Sequence, residues 1–316
     1  MALSWGSLID LKEGYHQIRL AVEDQEKTAF SWLGERYAWK GVPFAEFQRI
    51  MENILVDHRQ YTTVYLDDIL VYSKSIEEHV IHVRAVIDTL TEAHLKVSAD
   101  KCSFGYRRLK LFGHVVDGQS IRAHPERISA FMNMKDPKDV ERLLGVANYL
   151  RDYIPLYSRI AAPLEKLRKM KRLGDSWTKE CRLAIQALKD VLSHAPVITR
   201  ANFDHPFLVG TDASKKGVGA VLYQEMEGKR HYIEFASTAL TSGQCNYSAT
   251  RRELLAIVFA LKRFKYYLYG RHFTLFSDHR ALEYLFTGQH ENPMLNYWSE
   301  TLLAFDFQIV HRPGWN

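Results

Sequence analysis

Two adjacent carboxylates, Asp67 and Asp68, stand between two β-prone runs in the segment "TTVYLDDILVYS". Runs of β-branched and aromatic residues around a short acidic turn predict a β-hairpin. A strand-like "SLID" ends at a third acid, Asp10. If the turn directs Asp67 toward Asp10, like charges meet, and they then raise one another's pKa or recruit a cation. The alternative is an ordinary solvated turn.

A divalent cation would neutralise such a cluster of acids and would also indicate the chemistry of the site. Mg²⁺ binds a few carboxylates together with phosphate oxygens of a substrate. Two ions roughly 3.5–4 Å apart can hold the attacking and leaving oxygens of a phosphoryl transfer. Spacing alone does not decide between this chemistry and the solvated turn.

A second set of acids lies in the C-terminal third of the chain. Asp212 follows the strand-like "FLVGT", Asp278 follows "FTLFS", and Glu253 lies in the first turn of a predicted helix. The segment "TRRE" beginning at Thr250 has the form of a capping box, in which Glu253 folds back onto the helix end. Glu253 also shares helical spacing with a predicted buried stripe, and a buried carboxylate needs a partner. Capping and metal binding both remain open.

The surrounding patterns predict two α+β regions joined by a helical stretch. A helix capped by Ser75 is expected to bury an apolar stripe formed by Val80, Val83, Ile87 and Leu90. A further hairpin is expected to turn at Asp117–Gly118, and the pattern is helical from about 125 to 196. Strands then return, followed by one long helix from about Thr250 to Tyr269.

Composition sets broad limits on function. The 316 residues carry a formal net charge of +5, which permits a polyanionic partner without requiring one. The three cysteines, Cys102, Cys181 and Cys245, have neither metal-ligand nor disulfide spacing, which favours a reducing compartment. No apolar run is long enough to span a bilayer, and the N-terminal residues do not resemble a signal peptide. We therefore expect an intracellular protein, cytoplasmic or nuclear, that is not secreted and has no membrane partner.

An ordered set of motifs resembles the reverse transcriptase–ribonuclease H segment of gypsy-type LTR retrotransposon polyproteins. "IDLKEGYHQI" and "VYLDDILVYS" are similar to the polymerase motifs, and "LKVSADKCSF" and "LFGHVV" to the segments that follow them. "LLGVANYLRDYI" resembles the thumb. "TDAS", "YSATRRELLAIVFAL" and "FSDHRAL" resemble the three ribonuclease H acidic motifs, and "HRPG" the strand before the fourth.

The resemblance implies an α+β polymerase palm remnant with a helical thumb and connection, followed by an α/β ribonuclease H-like domain with a mixed five-strand sheet. The expected boundaries are 1–118 for the palm, 119–156 for the thumb, 157–200 for the connection and 201–316 for the ribonuclease H-like domain. The implied partner is an RNA–DNA hybrid or a template–primer duplex, and the oligomeric state is left open.

Residue roles carry over by position. The resemblance implies catalytic and metal-binding roles for the acids Asp10, Asp67, Asp68, Asp212, Glu253 and Asp278. It implies two Mg²⁺ ions per site, with Mn²⁺ as an alternative. Tyr15 matches the bulky residue against the incoming nucleotide sugar. The expected nucleic-acid contacts are Lys215, Lys216, Lys229, Arg230, Arg251 and Arg252, each of which is individually also compatible with a solvated surface charge.

Three departures from the family pattern limit the expected activity. The chain begins close to Asp10, where the family has fingers, and stops at Asn316, before the helix that carries a fourth nuclease acid. After Phe44 the family has roughly six further residues, which is more than one helical turn of about 3.6 residues. We therefore expect polymerase activity to be lost and nuclease activity to be in doubt. The alternative is a catalytically inactive nucleic-acid-binding remnant of a retrotransposon polyprotein.

Overall fold

The computed structural model describes residues 4–133, 140–168, 170, 176–194, 196–277 and 293–311. The chain divides into two compact units, Met1–Gln119 and Ser120–Asn316. Within the described ranges, no helix is both long and apolar enough to cross a bilayer. The four-part division proposed above stays a prediction, because these two units do not test its inner boundaries.

The first unit contains short strands and helices around one four-stranded sheet. Its strands are β1 (Trp5–Asp10), β2 (Phe30–Trp32), β3 (Glu35–Tyr37), β4 (Thr62–Tyr65), β5 (Asp68–Ser73), β6 (Ser103–Tyr106), β7 (Arg108–Leu111) and β8 (His114–Asp117). Its helices are α1 (Gly14–Gln17), α2 (Val22–Gln25), α3 (Phe44–Ile54) and α4 (Ile76–Glu92). The sheet has the order β4-β5-β1-β6, so the two strands that carry the acids are neighbours.

Helix α4 starts where the sequence predicts, and three residues of the predicted stripe, Val83, Ile87 and Leu90, pack on the core of this unit. The Ser75 side chain accepts a hydrogen bond from the Glu78 amide, as expected of an N-cap. The buried residues are His79, Val86 and Leu90, whereas Val80 of the predicted stripe is 57% exposed. The inclusion of Val80 was therefore wrong.

A hydrogen-bond network explains why His79 is buried while its neighbour Val80 is exposed. His79 Nε2 lies 2.7 Å from Ser7 Oγ, and His79 Nδ1 lies 3.0 Å from Ser73 Oγ. Burial and the neighbouring His82 lower the pKa of His79, which favours the neutral ring. Because both ring nitrogens have hydroxyl partners, the buried imidazole is compensated.

The hairpin predicted around Asp117–Gly118 is divided by an earlier turn. Strand β8 ends at Asp117 as expected, but β7 and β8 already form an antiparallel pair in which Leu111 faces His114. The two residues between them, Phe112 and Gly113, both have positive φ. This is the conformation of a tight two-residue hairpin turn.

The second unit combines a helical group with a five-stranded sheet. Its helices are α5 (Pro125–Met132), α6 (Val140–Tyr149), α7 (Tyr157–Glu165), α8 (Lys179–Ser193), α9 (Ser242–Cys245), α10 (Ala249–Arg263), α11 (Lys265–Leu268) and α12 (Pro293–Leu303). Its strands are β9 (Ser120–Ala123), β10 (Ile198–Thr199), β11 (Phe207–Ala213), β12 (Gly217–Met226), β13 (Lys229–Ala239), β14 (His272–Ser277) and β15 (Asp306–His311).

The large sheet is mixed, which confirms the predicted fold of this region. Its order is β13-β12-β11-β14-β15. Strands β11, β12 and β13 are antiparallel, whereas β14 pairs in parallel with both β11 and β15. Helix α10 packs on β11 and β12, and helix α7 packs on β12 and β13. Helical and sheet segments therefore share one folded unit.

The long helix near the middle of this unit is shorter than predicted. Helix α10 ends at Arg263, and a separate short helix, α11, begins at Lys265. The helix expected over "RALEYLF" lies outside the described residues. The prediction of one continuous helix to Tyr269 was therefore wrong, although the apolar stripe predicted its buried face.

Candidate active sites

The first acidic cluster is built by three strands that meet at one end of the sheet. In the antiparallel ladder of β1 and β5, Asp10 lies directly opposite Asp68. Strands β4 and β5 are joined by a two-residue turn, Leu66–Asp67, and Tyr65 pairs with Asp68 across it. The ladder brings acids from positions 10 and 68 into adjacent strands, and the turn places Asp67 beside them.

The electrostatics show that these carboxylates interact. Burial raises the pKa of Asp68, and the nearby charges of Asp67 and Asp10 raise it further. Lys101 opposes this effect, with its Nζ 3.5 Å from Asp10 Oδ1. An exposed lysine therefore faces three clustered acids, which leaves a local excess of negative charge.

Tyr15 lies next to the same cluster. Burial and then the charges of Asp67 and Asp68 raise the pKa of its hydroxyl. Its ring packs against Phe47 with 4.8 Å between centroids. Tyr15 also lines a cavity of about 260 Å³ together with Trp39 and Gly41. The predicted nucleotide contact therefore borders both the acids and an open cavity, although its contact with a sugar stays a prediction.

Gln48, to which no sequence motif assigned a role, holds the acidic turn through its side chain. Gln48 Oε1 accepts a hydrogen bond of 2.6 Å from the Leu66 amide, and Nε2 donates to the Val64 carbonyl at 2.8 Å. Nε2 also donates to Glu52 Oε1 at 2.7 Å. Leu66 has φ 56, which is an unfavourable region for a residue with a branched side chain. The carboxamide therefore stabilises the turn that presents Asp67.

Replacing Gln48 with leucine should loosen this turn. The change removes three hydrogen bonds at a strained position, and we expect a loss of about 1–3 kcal/mol in the free energy of unfolding. Amide exchange in β4 and β5, measured on the full chain, should accelerate. Gln60→Leu is the matched control, because Gln60 is exposed and the structure shows no side-chain hydrogen bond for it. Equal exchange rates in the two variants would contradict a role for Gln48 in the turn.

The first cluster fits a divalent cation only if a substrate completes the coordination. Among the residues that the structure describes, no three His, Cys, Asp or Glu side chains form a group that could hold a metal ion. Mg²⁺, however, commonly takes one or two carboxylates together with phosphate oxygens. Asp10 Oδ1 is buried and accepts no hydrogen bond, and the Lys101 ammonium at 3.5 Å already stands where a cation is favoured. Asp10 with Asp67 or Asp68 could therefore supply the protein's share of the ligands.

In the second unit, Asp212 lies near the carboxyl end of the central strand β11. Leu208 and Gly210 share its face of the strand because side chains alternate. That face packs toward Tyr223 and Phe235, whereas Phe207 and Val209 face the core beneath α10. Asp212 therefore projects onto the sheet face opposite α10.

A parallel ladder brings a second strand toward the same sheet end. The last described pair between β11 and β14 is Gly210 with Phe276. These residues stand two positions before Asp212 and Asp278, respectively. Asp278 itself lies outside the described residues, so its meeting with Asp212 stays a prediction.

The structure excludes one of the two interpretations of Glu253, the capping box, and metal binding stays a prediction. Ser248 is the N-cap of α10, and its side chain accepts a hydrogen bond from the Arg251 amide. Glu253 is therefore not the third residue of a capping box that begins at Thr250. It is 7% exposed and belongs to the buried side of α10. Helix α10, which carries Glu253, packs on the sheet face opposite Asp212. The strand ladder alone therefore does not bring the two carboxylates together.

Among the described residues, Asp212 forms an ion pair with a helix that the sequence did not connect with this site. Arg159 of α7 has its Nη1 3.6 Å from Asp212 Oδ2. The two side chains are 57% and 30% exposed, so the pair borders solvent. Arg159 lies more than 50 residues before Asp212, and no local motif signals the contact.

Two glycines of β12 allow α7 to approach the sheet. A Cβ on Gly219 would lie well inside van der Waals distance of Leu156 Cδ2, and one on Gly217 would lie 2.9 Å from Ser158 Oγ. The Ser158 amide donates to Ser237 Oγ at 3.0 Å, which attaches the start of α7 to β13. Leu156 and Asp212 also border one cavity of about 340 Å³. The start of α7 is thus held on the face that carries Asp212.

The six predicted nucleic-acid contacts do not form a single surface. Lys215 and Lys216 lie in the β11–β12 turn, at the same sheet end as Asp212. Lys229 and Arg230 start β13 at the opposite end, separated by the ten residues of β12, or about 30 Å at ~3.3 Å per residue.

Arg251 and Arg252 lie in the first turn of α10, where the Arg252 guanidinium donates to the Tyr247 carbonyl. Lys215 and Lys216 are thus better placed than Lys229 and Arg230 to accompany Asp212.

Two family models match the chain, one within each unit. Residues 2–116 match the family model of reverse transcriptases, the RNA-dependent DNA polymerases. Residues 202–305 match the ribonuclease H-like domain found in reverse transcriptases. The first match contains Asp10, Asp67 and Asp68, and the second contains Asp212, Glu253 and Asp278.

Relatives align along almost the whole chain. It is 36% identical over 316 residues to the retrovirus-related Pol polyprotein from transposon 297 of Drosophila melanogaster, covering 97% of this chain and 30% of the relative. It is 34% identical over 321 residues to the transposon Tf2-3 polyprotein of Schizosaccharomyces pombe, covering 97% of this chain and 24% of the relative. The chain thus spans under a third of the length of these curated relatives.

Solved structures share the fold at low sequence identity. A foamy viral protease–reverse transcriptase in complex with RNA/DNA hybrid aligns with TM-score 0.81 at 21% identity, covering 100% of this chain and 45% of that one. The foamy viral protease–reverse transcriptase dRH in complex with double-stranded DNA aligns with TM-score 0.80 at 21% identity, covering 100% and 58%.

Proposed function

Because the chain belongs to the reverse transcriptase–ribonuclease H family of retrotransposon Pol polyproteins, we propose that its second unit is a metal-dependent nuclease for the RNA strand of RNA–DNA hybrids. The observation that carries this proposal is the parallel β11–β14 ladder, which ends two residues before Asp212 and Asp278. Acids that follow two neighbouring parallel strands in the sequence are a suitable origin for a phosphoryl-transfer site.

The proposed chemistry needs divalent ions, which reverse transcriptases and ribonucleases H generally use. Asp212, Asp278 and Glu253 would hold Mg²⁺ or Mn²⁺, and the ions would stabilise charge on the phosphate that is cleaved. Lys215 and Lys216 would contact neighbouring phosphates of the hybrid. The gypsy subtype implied by the motifs belongs to this proposal as well.

Cleavage of labelled substrates tests the nuclease directly. An RNA–DNA hybrid incubated with the full chain and Mg²⁺ or Mn²⁺ should be cut in its RNA strand, whereas a DNA duplex of the same sequence should remain intact, because 2′-hydroxyls and hybrid geometry are recognised. Chelation of the metal should stop the reaction. An uncut hybrid under all metal conditions would refute the nuclease.

For the first unit we expect binding of template–primer without extension. Asp10, Asp67 and Asp68 cluster, but α3 starts at Phe44, where the family has roughly six further residues, more than one helical turn of about 3.6 residues. A change of that size displaces the surface beneath the nucleotide. A primer-extension assay should show no added nucleotides. Extension that disappears in Asp67→Asn would show that the shorter segment is tolerated.

A catalytically inactive nucleic-acid-binding protein is the second candidate. It is favoured by Lys215 and Lys216, which are exposed in the β11–β12 turn and need no metal to contact phosphates. It predicts hybrid binding that weakens steeply with salt, since phosphate contacts release counterions. Binding without cleavage in Mg²⁺ and Mn²⁺ would establish this alternative.

A further inference from the structure

The guanidinium of Arg159 lies beside Asp212, and the contact with this acid uses only part of its hydrogen-bonding capacity. Its Nη1 lies 3.6 Å from Asp212 Oδ2, and the structure shows no hydrogen bond from this side chain to any described residue. Arg159 is 57% exposed. It therefore retains N–H donors that face solvent next to the acid, and such a planar donor fork suits phosphate.

Three contacts with the sheet hold the backbone around Arg159 in place. Ser158, the preceding residue, donates its amide to Ser237 Oγ at 3.0 Å. Leu156 packs over Gly219, and Arg151 donates to the Ser237 carbonyl at 2.6 Å. Because these contacts attach the first turn of α7 to β12 and β13, the base of Arg159 cannot drift away from Asp212.

We propose that Arg159 is a substrate-binding residue of the nuclease site, contributed by α7 from outside residues 202–305, and that it holds a phosphate of the nucleic acid at Asp212. This rests on the proposed nuclease function. Asp212 alone would repel a phosphate, and the guanidinium offsets that repulsion at the point where the two charges meet. The ligand class is a nucleic-acid phosphodiester, independent of base sequence.

Hybrid affinity measured without divalent metal tests the proposal independently of cleavage. Anisotropy of a labelled RNA–DNA hybrid in chelator should show about tenfold weaker binding for Arg159→Gln, the value of one charge-assisted contact. The slope of log affinity against log salt should become shallower by about one. Arg159→Lys should restore the slope but only part of the affinity, because lysine lacks the planar fork.

Arg182→Gln is the matched control, since Arg182 is exposed on α8 and has no contact with Asp212. Unchanged affinity and salt slope in Arg159→Gln would overturn the proposal while leaving the nuclease intact. So would faster cleavage at unchanged hybrid affinity, since Arg159 would then act as a restraint on Asp212. If wild type cuts nothing but Arg159→Gln still weakens binding, the nuclease fails and the phosphate contact stands.

Discussion

Asp212→Asn should lower the rate of RNA cleavage in a hybrid by more than about 100-fold, the upper end of the loss seen when only outer partners of metal ligands are removed. The amide keeps the shape of the side chain but removes the charge that attracts a divalent ion. Hybrid affinity in chelator should stay equal or rise, because a negative charge near the phosphates is lost.

Asp204→Asn is the matched control for this experiment. Asp204 is exposed in the loop before β11, outside the sheet end that carries Asp212. The control should cut the hybrid at the wild-type rate. If Asp212→Asn retains cleavage within tenfold of wild type, the active site lies elsewhere in the chain.

Gly219→Ala should destabilise the second unit, although the same change elsewhere in this unit should not. The new methyl group would clash with Leu156 Cδ2, and overpacking of this kind costs about 1–3 kcal/mol. Gly145→Ala, on α6, meets nothing within 4 Å and should stabilise its helix by about 0.5–1 kcal/mol. Chemical denaturation of the full chain, monitored by amide exchange in β12 and α6, measures both changes.

Leu156→Ala identifies the cause of the loss at Gly219. Leu156→Ala alone should lower the free energy of unfolding through lost packing. The double variant should lose less stability than the sum of the two single variants, because the atom that clashes with the new methyl group is gone. We expect a coupling of about 1 kcal/mol or more. Simple additivity would mean that α7 does not contact the sheet at this glycine in solution.

The sequence was most informative where local pattern and strand pairing agree. The hairpin around Asp67 and Asp68 followed from β-prone runs, and the strand ending at Asp10 from the strand-like segment "SLID". The mixed five-strand sheet followed from the family resemblance. Helix termini were harder, because Ser248 and Thr250 both precede Glu253 with capping chemistry, and only the backbone position of the first turn separates them.

Side-chain contacts between distant segments could not be predicted in the same way. His79 reads as a polar interruption of an apolar stripe, and only its contacts with Ser7 and Ser73 make it a core residue. Arg159 is one of many basic residues until α7 is placed on β12. Hydrogen bonds and ion pairs of this kind depend on tertiary placement, which a periodicity in the sequence does not encode.

Helix α7 packs over Gly217 and Gly219 of β12, and this contact determines where the chain can be truncated. An excised fragment that begins near residue 201 would keep every strand of the large sheet but uncover the surface around Gly217 and Gly219. Such a fragment would present bare apolar area to water and be prone to self-association. We therefore expect a stable fragment to begin upstream of α7, and an expression boundary placed near residue 201 to give a less soluble product than one that retains α7.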